Sequence, residues 1–201
     1  MRHHWCQSIS AWGNMTPAEH EFLAVIWIVW LAGWCVWALR TKPDNRKESR
    51  LSEAGHQVPL AFALLMLWPW RLPGGVLGGQ VLTSLGWVGV ALTAVGMLFM
   101  VWARIVIGAN WSGRVTIKQG HDLIDRGPYA LVRHPIYTGL LAAYLFTGLT
   151  WGDWRGLVAP VIALVALWRK LKLEEAFLRV QFGPAYETYR GRTRALIPYV
   201  L

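Results

Sequence analysis

The sequence is short of charge. Of 201 residues only 15% are Asp, Glu, Lys or Arg, where a soluble domain carries about a quarter. Cysteine is scarcer still: two are present, far apart, and Cys35 lies inside an apolar run. This excludes a disulfide framework and a cysteine metal site, and no other metal-ligand set stands out. Acidic residues are outnumbered, 11 against 20 basic, for a formal charge of +9. There is no internal repeat and no low-complexity tract. The start, "MRHHWCQSIS", lacks a signal-peptide pattern, and the first apolar run is too long and too firmly stopped by "RTKPDNRK" to be a cleaved one. That run is expected to stay in the chain.

What the sequence has in quantity is apolar: 55% hydrophobic residues and 14 Trp. Phe22–Leu39 runs 18 residues without a charge, the usual threshold for a membrane-spanning helix. Val81–Ala103 is longer and equally bare. Val58–Trp70, Ile136–Trp151 and Gly156–Trp168 are shorter, and each alone suits a re-entrant or interfacial segment as well as a span. Loop charge decides between these. If all five cross, segments 40–57, 104–135 and 168–201 share one side and carry five, five and seven Lys and Arg. The other side receives only Arg2, Arg71 and Arg155. Such a partition follows the positive-inside rule, and omitting either weak middle segment would strand a basic loop. The expected fold is an all-α integral membrane protein of five transmembrane helices, one membrane-embedded domain over 1–201. Its N-terminus lies outside and its C-terminus in the cytoplasm. The basic surplus then belongs to membrane-flanking loops and anionic lipid, not to nucleic acid.

The chain changes character near residue 104. Residues 1–104 are mostly lipid-compatible spans. "LPGGVLGGQ" reads as a turn, and Gly86, Gly89 and Gly96 permit close helix approach. Trp27, Trp30, Trp34 and Trp37 recur at helical spacing as a lipid-facing or packing stripe. In residues 105–201 polar groups stand at specific places. "IGANWSGRVTIKQGHDLIDRGPYALVRHP" is too polar to span and too patterned for a linker. Gly108, Gly113, Gly120 and Gly127 mark turns, and "RVTIKQ" suits a short strand. A loop of about 30 residues within a compact domain is usually functional.

This loop ends in "RGPYALVRHPIYTG". The residue before a proline is pushed out of the helical region, and proline suits the first helical position. A helix is therefore expected from Pro135, with His134 extended just before it. The open amides of its first turn, beside Arg133, favour an anionic group. Residue by residue, Arg133 and His134 suit lipid phosphates, and Tyr129 and Tyr137 an interfacial belt. As a cluster behind a patterned loop they read as a site. Further on, "WRKLKLEEAFLRVQFGPAYETYRGRTRALIP" places Lys170 and Glu174 on one helical face. Glu174 and Glu175 lie between two apolar stripes, so both acids need partners, although this stretch alone also suits a surface helix. "QFGPAY" breaks the helix, and a docked basic tail follows.

"GPYALVRHPIYTG" and "EEAFLRVQFGPAYETYRGRTRALIP" resemble the isoprenylcysteine carboxyl methyltransferase family, with its bacterial relatives and the similar phospholipid methyltransferases. The likeness runs from Asn110 to Pro198; the first half is similar only in being helical and membrane-bound. The resemblance implies S-adenosylmethionine bound on the cytoplasmic side by the C-terminal half. It implies cofactor contacts from His121, Leu123 and Ile124 of "HDLI" and from Tyr129. It also implies His134, Pro135, Ile136 and Tyr137 of "HPIY", Glu174 from the last helix, and Lys118 as a polar residue upstream. Four residues before Glu174 the eukaryotic members carry an arginine with a substrate role. Here the position holds Lys170, with Arg169 beside it, and lysine does not reproduce a bidentate arginine clamp.

These assignments suit the chemistry. A helix start with His134 suits the cofactor carboxylate, while Tyr129 and Tyr137 suit adenine or the sulfonium. A carboxylate acceptor needs no general base; it needs a cation to orient it, the catalytic role given to Lys170 with help from Arg133 or Arg169. The lipophilic acceptor, most simply an isoprenylcysteine-type carboxylate, enters from the bilayer between helices. Phospholipid N-methylation, an NADPH-dependent reductase of steroid-reductase-like architecture, and a non-enzymatic scaffold or small transporter are the alternatives. Clean spans with polar groups gathered at one face favour an enzyme. The topology predicts that cysteines placed at positions 45, 120 and 190 label from one side of the membrane and those at 75 and 153 from the other. Labelling of 45 and 120 from opposite sides would overturn it.

Overall fold

A computed structural model of the protein describes residues 16–68, 85–120 and 122–200. The sequence-predicted turn "LPGGVLGGQ" and His121 lie outside the described residues. Helix α1 spans Pro17–Ala38 and starts from a capping box, in which Thr16 accepts from the Glu19 amide and Glu19 accepts from the Thr16 amide. Helix α2, Arg50–Leu67, is capped by Ser49. Helix α3 covers Gly86–Ile107 and ends where Gly108 takes a positive φ of 57°. A short helix α4, Pro128–Leu131, precedes α5, Pro135–Trp151; then come α6, Trp154–Phe182, and α7, Pro184–Arg192. Two short strands, β1 (Asp44–Lys47) and β2 (Thr116–Lys118), pair antiparallel. The all-α expectation thus needs one correction. The strand suspected in "RVTIKQ" exists, and its partner comes from the charged stretch that stops α1.

Ile136–Trp151 and Gly156–Trp168 lie within α5 and α6, and the greater part of what is described of the other three runs lies in α1, α2 and α3. Among the described residues, two helical stretches are long and apolar enough to cross a membrane, Pro17–Ala38 and Gly86–Asn110. Their outer faces show bare apolar side chains such as Val29 on α1 and Leu98 on α3. The tryptophan stripe of α1 is a packing stripe. Trp27 is buried and donates from Nε1 to Thr147 Oγ1 (3.1 Å). Trp30 stacks on Trp34, whose ring meets the edge of Trp111.

The helices approach closely where side chains are smallest. On α3 and α5, Gly96 and Gly139 face each other: a Cβ at 96 would lie 2.9 Å from the Gly139 carbonyl oxygen, and one at 139 would lie 2.6 Å from Met100 Cγ. The α5–α6 hairpin is tighter still. Gly152 closes α5 in the left-handed region (φ 71°, ψ 6°), and Asp153 caps α6 by accepting from the Gly156 amide at 3.1 Å. Gly148 and Gly156 then meet backbone to backbone. Alanines 63, 143, 159 and 163 line the core between α2, α5 and α6. The C-terminal tail returns to the start of α5: Arg133 N–H donates to Arg194 O (2.8 Å), His134 N–H to Ala195 O (3.0 Å) and Thr138 Oγ1 to Leu196 O (2.6 Å).

Gly139→Leu is expected to force α3 and α5 apart and to lower stability by about 1–3 kcal/mol, as overpacking does. Gly191→Ala, where a Cβ meets nothing within 4 Å, is the control and should be neutral. Thermal unfolding in detergent reads both; equal melting points would mean that the helices do not need the glycine contact.

Candidate functional site

The start of α5, the C-terminal half of α6 and the loop before α4 enclose a cavity of about 850 Å³, counting the space open to solvent. Its roof is the segment from Asn110 to Ile117, with Asp122, Leu123 and Ile124 at the far end. Its floor is Tyr129 and the run from Arg133 to Tyr137, and Glu174, Phe177 and Leu178 of α6 form the inner wall.

Local sequence explains the floor. Gly127 takes φ 60°, which admits Pro128 as the first residue of α4, and α4 delivers Tyr129 inward, 6% exposed. His134 stands before Pro135 with φ −123° and ψ 61°, outside the helical region as a pre-proline residue should be. Its ring lies parallel to that of Tyr137, centroids 5.3 Å apart and planes 3° from parallel. Nδ1 is 3.5 Å from Glu174 Oε2, and Nε2 is 3.5 Å from Glu175 Oε1. The Tyr137 hydroxyl donates to Glu174 Oε1.

The two adjacent glutamates divide their duties because neighbours on a helix point about 100° apart. Glu174 faces the cavity. Glu175, 2% exposed, turns the other way and accepts from Arg133 Nε at 2.9 Å. Arg133 Nη1 donates to the Thr193 carbonyl of the tail. The charges of the cluster support one another. Burial alone would lower the His134 value, yet the carboxylates of Glu174 and Glu175 raise it above its ordinary 6.5. Burial works against ionising Glu175, but His134 and Arg133 outweigh it and hold the carboxyl at about 2. Glu174 is likewise lowered: burial opposes, and His134 and the Lys170 charge prevail.

Of the residues singled out by sequence, Leu123, Ile124, Tyr129, Arg133, His134, Pro135, Ile136, Tyr137 and Glu174 line this one cavity. Lys118, Lys170 and Arg169 are engaged elsewhere. Lys118 points its ammonium at Asp44 Oδ1 (2.7 Å). Lys170 Nζ donates to the Gly113 carbonyl at 2.6 Å and lies 5.4 Å from the Tyr137 ring centroid, behind the wall. Arg169 donates to Ser52 O on α2 at 2.9 Å. Sequence reasoning gave no role to Glu175, although the doubled acid at 174–175 was its signal. It also passed over Asn110, Arg114 and Asp122 in the wall, for which the glycine-punctuated loop was the only hint.

The electrostatics fix a pH response. His134 is raised, so its contribution to stability is complete below about 6.5 and is lost as pH rises through its folded-state value. Glu175 is lowered, so its contribution is present above about 4.5 and is lost as pH falls toward about 2. Melting temperature should therefore decline on the alkaline side, as pH rises above about 6.5. Glu175→Gln should flatten that decline and, by leaving Arg133 buried without its counter-charge, cost about 3 kcal/mol. Thermal unfolding across the pH range checks this; a flat alkaline limb in the wild type would mean that His134 is uncharged.

Residues 85–185, from α3 to the beginning of α7, match the phospholipid methyltransferase family. The protein-S-isoprenylcysteine O-methyltransferase of Schizosaccharomyces pombe is 33% identical over 104 residues, which cover 49% of this chain and 43% of that protein. A probable protein-S-isoprenylcysteine O-methyltransferase of Oryza sativa subsp. japonica is 29% identical over 120 residues, 57% of this chain and 61% of that one. The cobalt-zinc-cadmium resistance protein CzcN of Cupriavidus metallidurans is 31% identical over 119 residues, 59% of this chain and 50% of that one. The matched stretches thus span about half the length of these relatives. With its cavity built almost wholly from the matched region, the chain belongs to the phospholipid methyltransferase family.

Proposed function

We propose that the protein is an S-adenosylmethionine-dependent methyltransferase that modifies a lipophilic acceptor, most simply an isoprenylcysteine-type carboxylate, at the cytoplasmic face of a membrane. The observation that carries this reading is the convergence of His134, Tyr137 and Glu174 on one cavity at the start of α5. The names of the isoprenylcysteine O-methyltransferase relatives support the acceptor class. In this reading α1, α2, α3, α5 and α6 cross the bilayer as one membrane-embedded domain, and segments 104–135 and 168–201 form the cytoplasmic cap. The lopsided placement of Lys and Arg supports that orientation.

The residues present suit the cofactor. The amide of Ile136, in the first turn of α5, has no intrahelical acceptor and suits a carboxylate. The Tyr129 ring and the paired His134 and Tyr137 rings suit adenine or a sulfonium. Glu174, held ionised, suits amino and hydroxyl donors. When bound, the cofactor supplies an electrophilic methyl group. The chain's work is then to align the acceptor with it and to keep water out. Arg133 has Nε committed to Glu175 and Nη1 to the tail, so its part is to fix Glu175 and, through it, His134. Lys170 lies buried behind Tyr137 with its ammonium on the Gly113 carbonyl, so the role of orienting an acceptor carboxylate falls to it only for an acceptor that reaches it from outside this cavity.

S-adenosylhomocysteine should bind the purified protein, and His134→Ala, Tyr137→Phe and Glu174→Gln should each weaken it about tenfold or more, since each removes a buried or charged partner. Lys170→Ala should leave that affinity nearly intact and lower turnover. Titration calorimetry with S-adenosylhomocysteine and NADPH, joined to a labelled-methyl assay, reads all of these. Binding of NADPH alone would favour a reductase, and equal loss of cofactor affinity in Glu174→Gln and Lys170→Ala would refute the division of roles.

A further inference from the structure

The roof of the cavity is fastened by residues that lie outside the family-matched stretch. Between α1 and α2, the Lys42 side chain reaches across to the loop that follows α3. Its Nζ donates to Asn110 Oδ1 at 2.9 Å, to the Gly120 carbonyl at 2.7 Å and to Asp122 Oδ2 at 3.4 Å. An ammonium has three donors, and here all three have acceptors. Those acceptors belong to the two ends of the roof. Asn110 and Asp122 both line the cavity, the chain between them carries the roof, and Lys42 closes the gap from one to the other. The backbone follows suit: Lys42 N–H donates to Ala109 O (3.0 Å), and Gln119 N–H to Pro43 O (3.1 Å).

The rest of the same connection fastens the roof away from its ends. Asp44 holds Lys118, and Glu48 Oε1 accepts from the Val115 amide at 2.9 Å. Strand β1 pairs with β2 between them. Lys42 differs from Asp44 in what it touches. Lys118 is not part of the cavity wall, whereas two of Lys42's three acceptors belong to residues that are.

We propose that Lys42 is a positioning residue for the cofactor: by tying Asn110 to Asp122 it sets the width of the cavity beneath the roof. This rests on the reading of the cavity as an S-adenosylmethionine site. Three variants test it. Lys42→Met keeps the length of the side chain and removes every donor; Lys42→Arg restores charge and donors; Asp44→Asn loosens the roof at Lys118 without touching its ends. Calorimetric titration with S-adenosylhomocysteine should show Lys42→Met weakened about tenfold, Lys42→Arg keeping most of the affinity, and Asp44→Asn changed by less than about threefold. Hydrogen exchange should quicken in Lys42→Met at the amides of 109–122 and stay unchanged in α3 and α5. Lys42→Gln, which keeps one donor group, should fall between wild type and Lys42→Met.

Wild-type affinity in Lys42→Met would overturn the proposal. So would equal losses in Lys42→Met and Asp44→Asn, because the ribbon would then matter only as a whole, and so would exchange quickened throughout the molecule. If the wild type itself binds no S-adenosylhomocysteine, the methyltransferase reading fails instead. Exchange confined to 109–122 would still support the tie that Lys42 makes, and unchanged exchange there would still refute it.

Discussion

A buried carboxylate is costly unless cations answer it, and the Glu175 carboxylate is the constraint on which the rest of this structure depends. Arg133 answers it directly at 2.9 Å, and His134 and Arg179 approach to 3.5 Å. These cations come from different places. Arg133 and His134 belong to the chain just before α5, and Arg179 stands one turn further along α6. Meeting the charge of Glu175 therefore locks the beginning of α5 against α6 at one depth and one rotation. Once that is done, Glu174 has nowhere to face but the cavity, and Tyr137 lies within reach of it. The tail joins the same knot through Arg133 and the backbone of His134.

Away from this charged knot, order comes from the absence of side chains. Gly96 against Gly139 and Gly148 against Gly156 let backbones touch, so van der Waals contact replaces the polar partners used near the cavity. The division suits a chain with few charges. Ion pairs are concentrated where loops meet water, and the apolar spans pack through small residues and tryptophans. Arg104 marks the boundary: its guanidinium lies between the Trp37 and Trp111 rings and donates to the Gly108 and Trp37 carbonyls, joining the last turns of α1 and α3.

What was legible in the sequence was local. The stop before Pro135, the positive-φ glycines at 108, 120 and 127, the break at Gly183 and the need of the paired glutamates for partners all follow from short-range rules about proline, glycine and buried charge. What was not legible depended on partners distant in sequence. Nothing in "DNRK" announces a strand until Thr116–Lys118 lies beside it. Lys118 and Arg169 looked available for ligand because Asp44 and Ser52 were unknown neighbours. Glu175 and Glu174 were alike on paper, and only the position of Arg133 tells them apart.

Helix α6 runs unbroken from Trp154, just past the hairpin, to Phe182. At about 1.5 Å per residue, the twenty steps from Trp154 to Glu174 measure about 30 Å, close to the hydrocarbon thickness of a bilayer. In the proposed orientation the helix is a ruler: its foot is pinned at one interface by the Asp153 cap, and its reading at the other is the carboxylate of the cavity. The height of the reacting groups above the lipid would then be a property of helix length alone. Removing a single residue from the apolar stretch would lower Glu174 by one rise and swing it through about 100°, away from Tyr137 and out of register with everything that Glu175 holds in place.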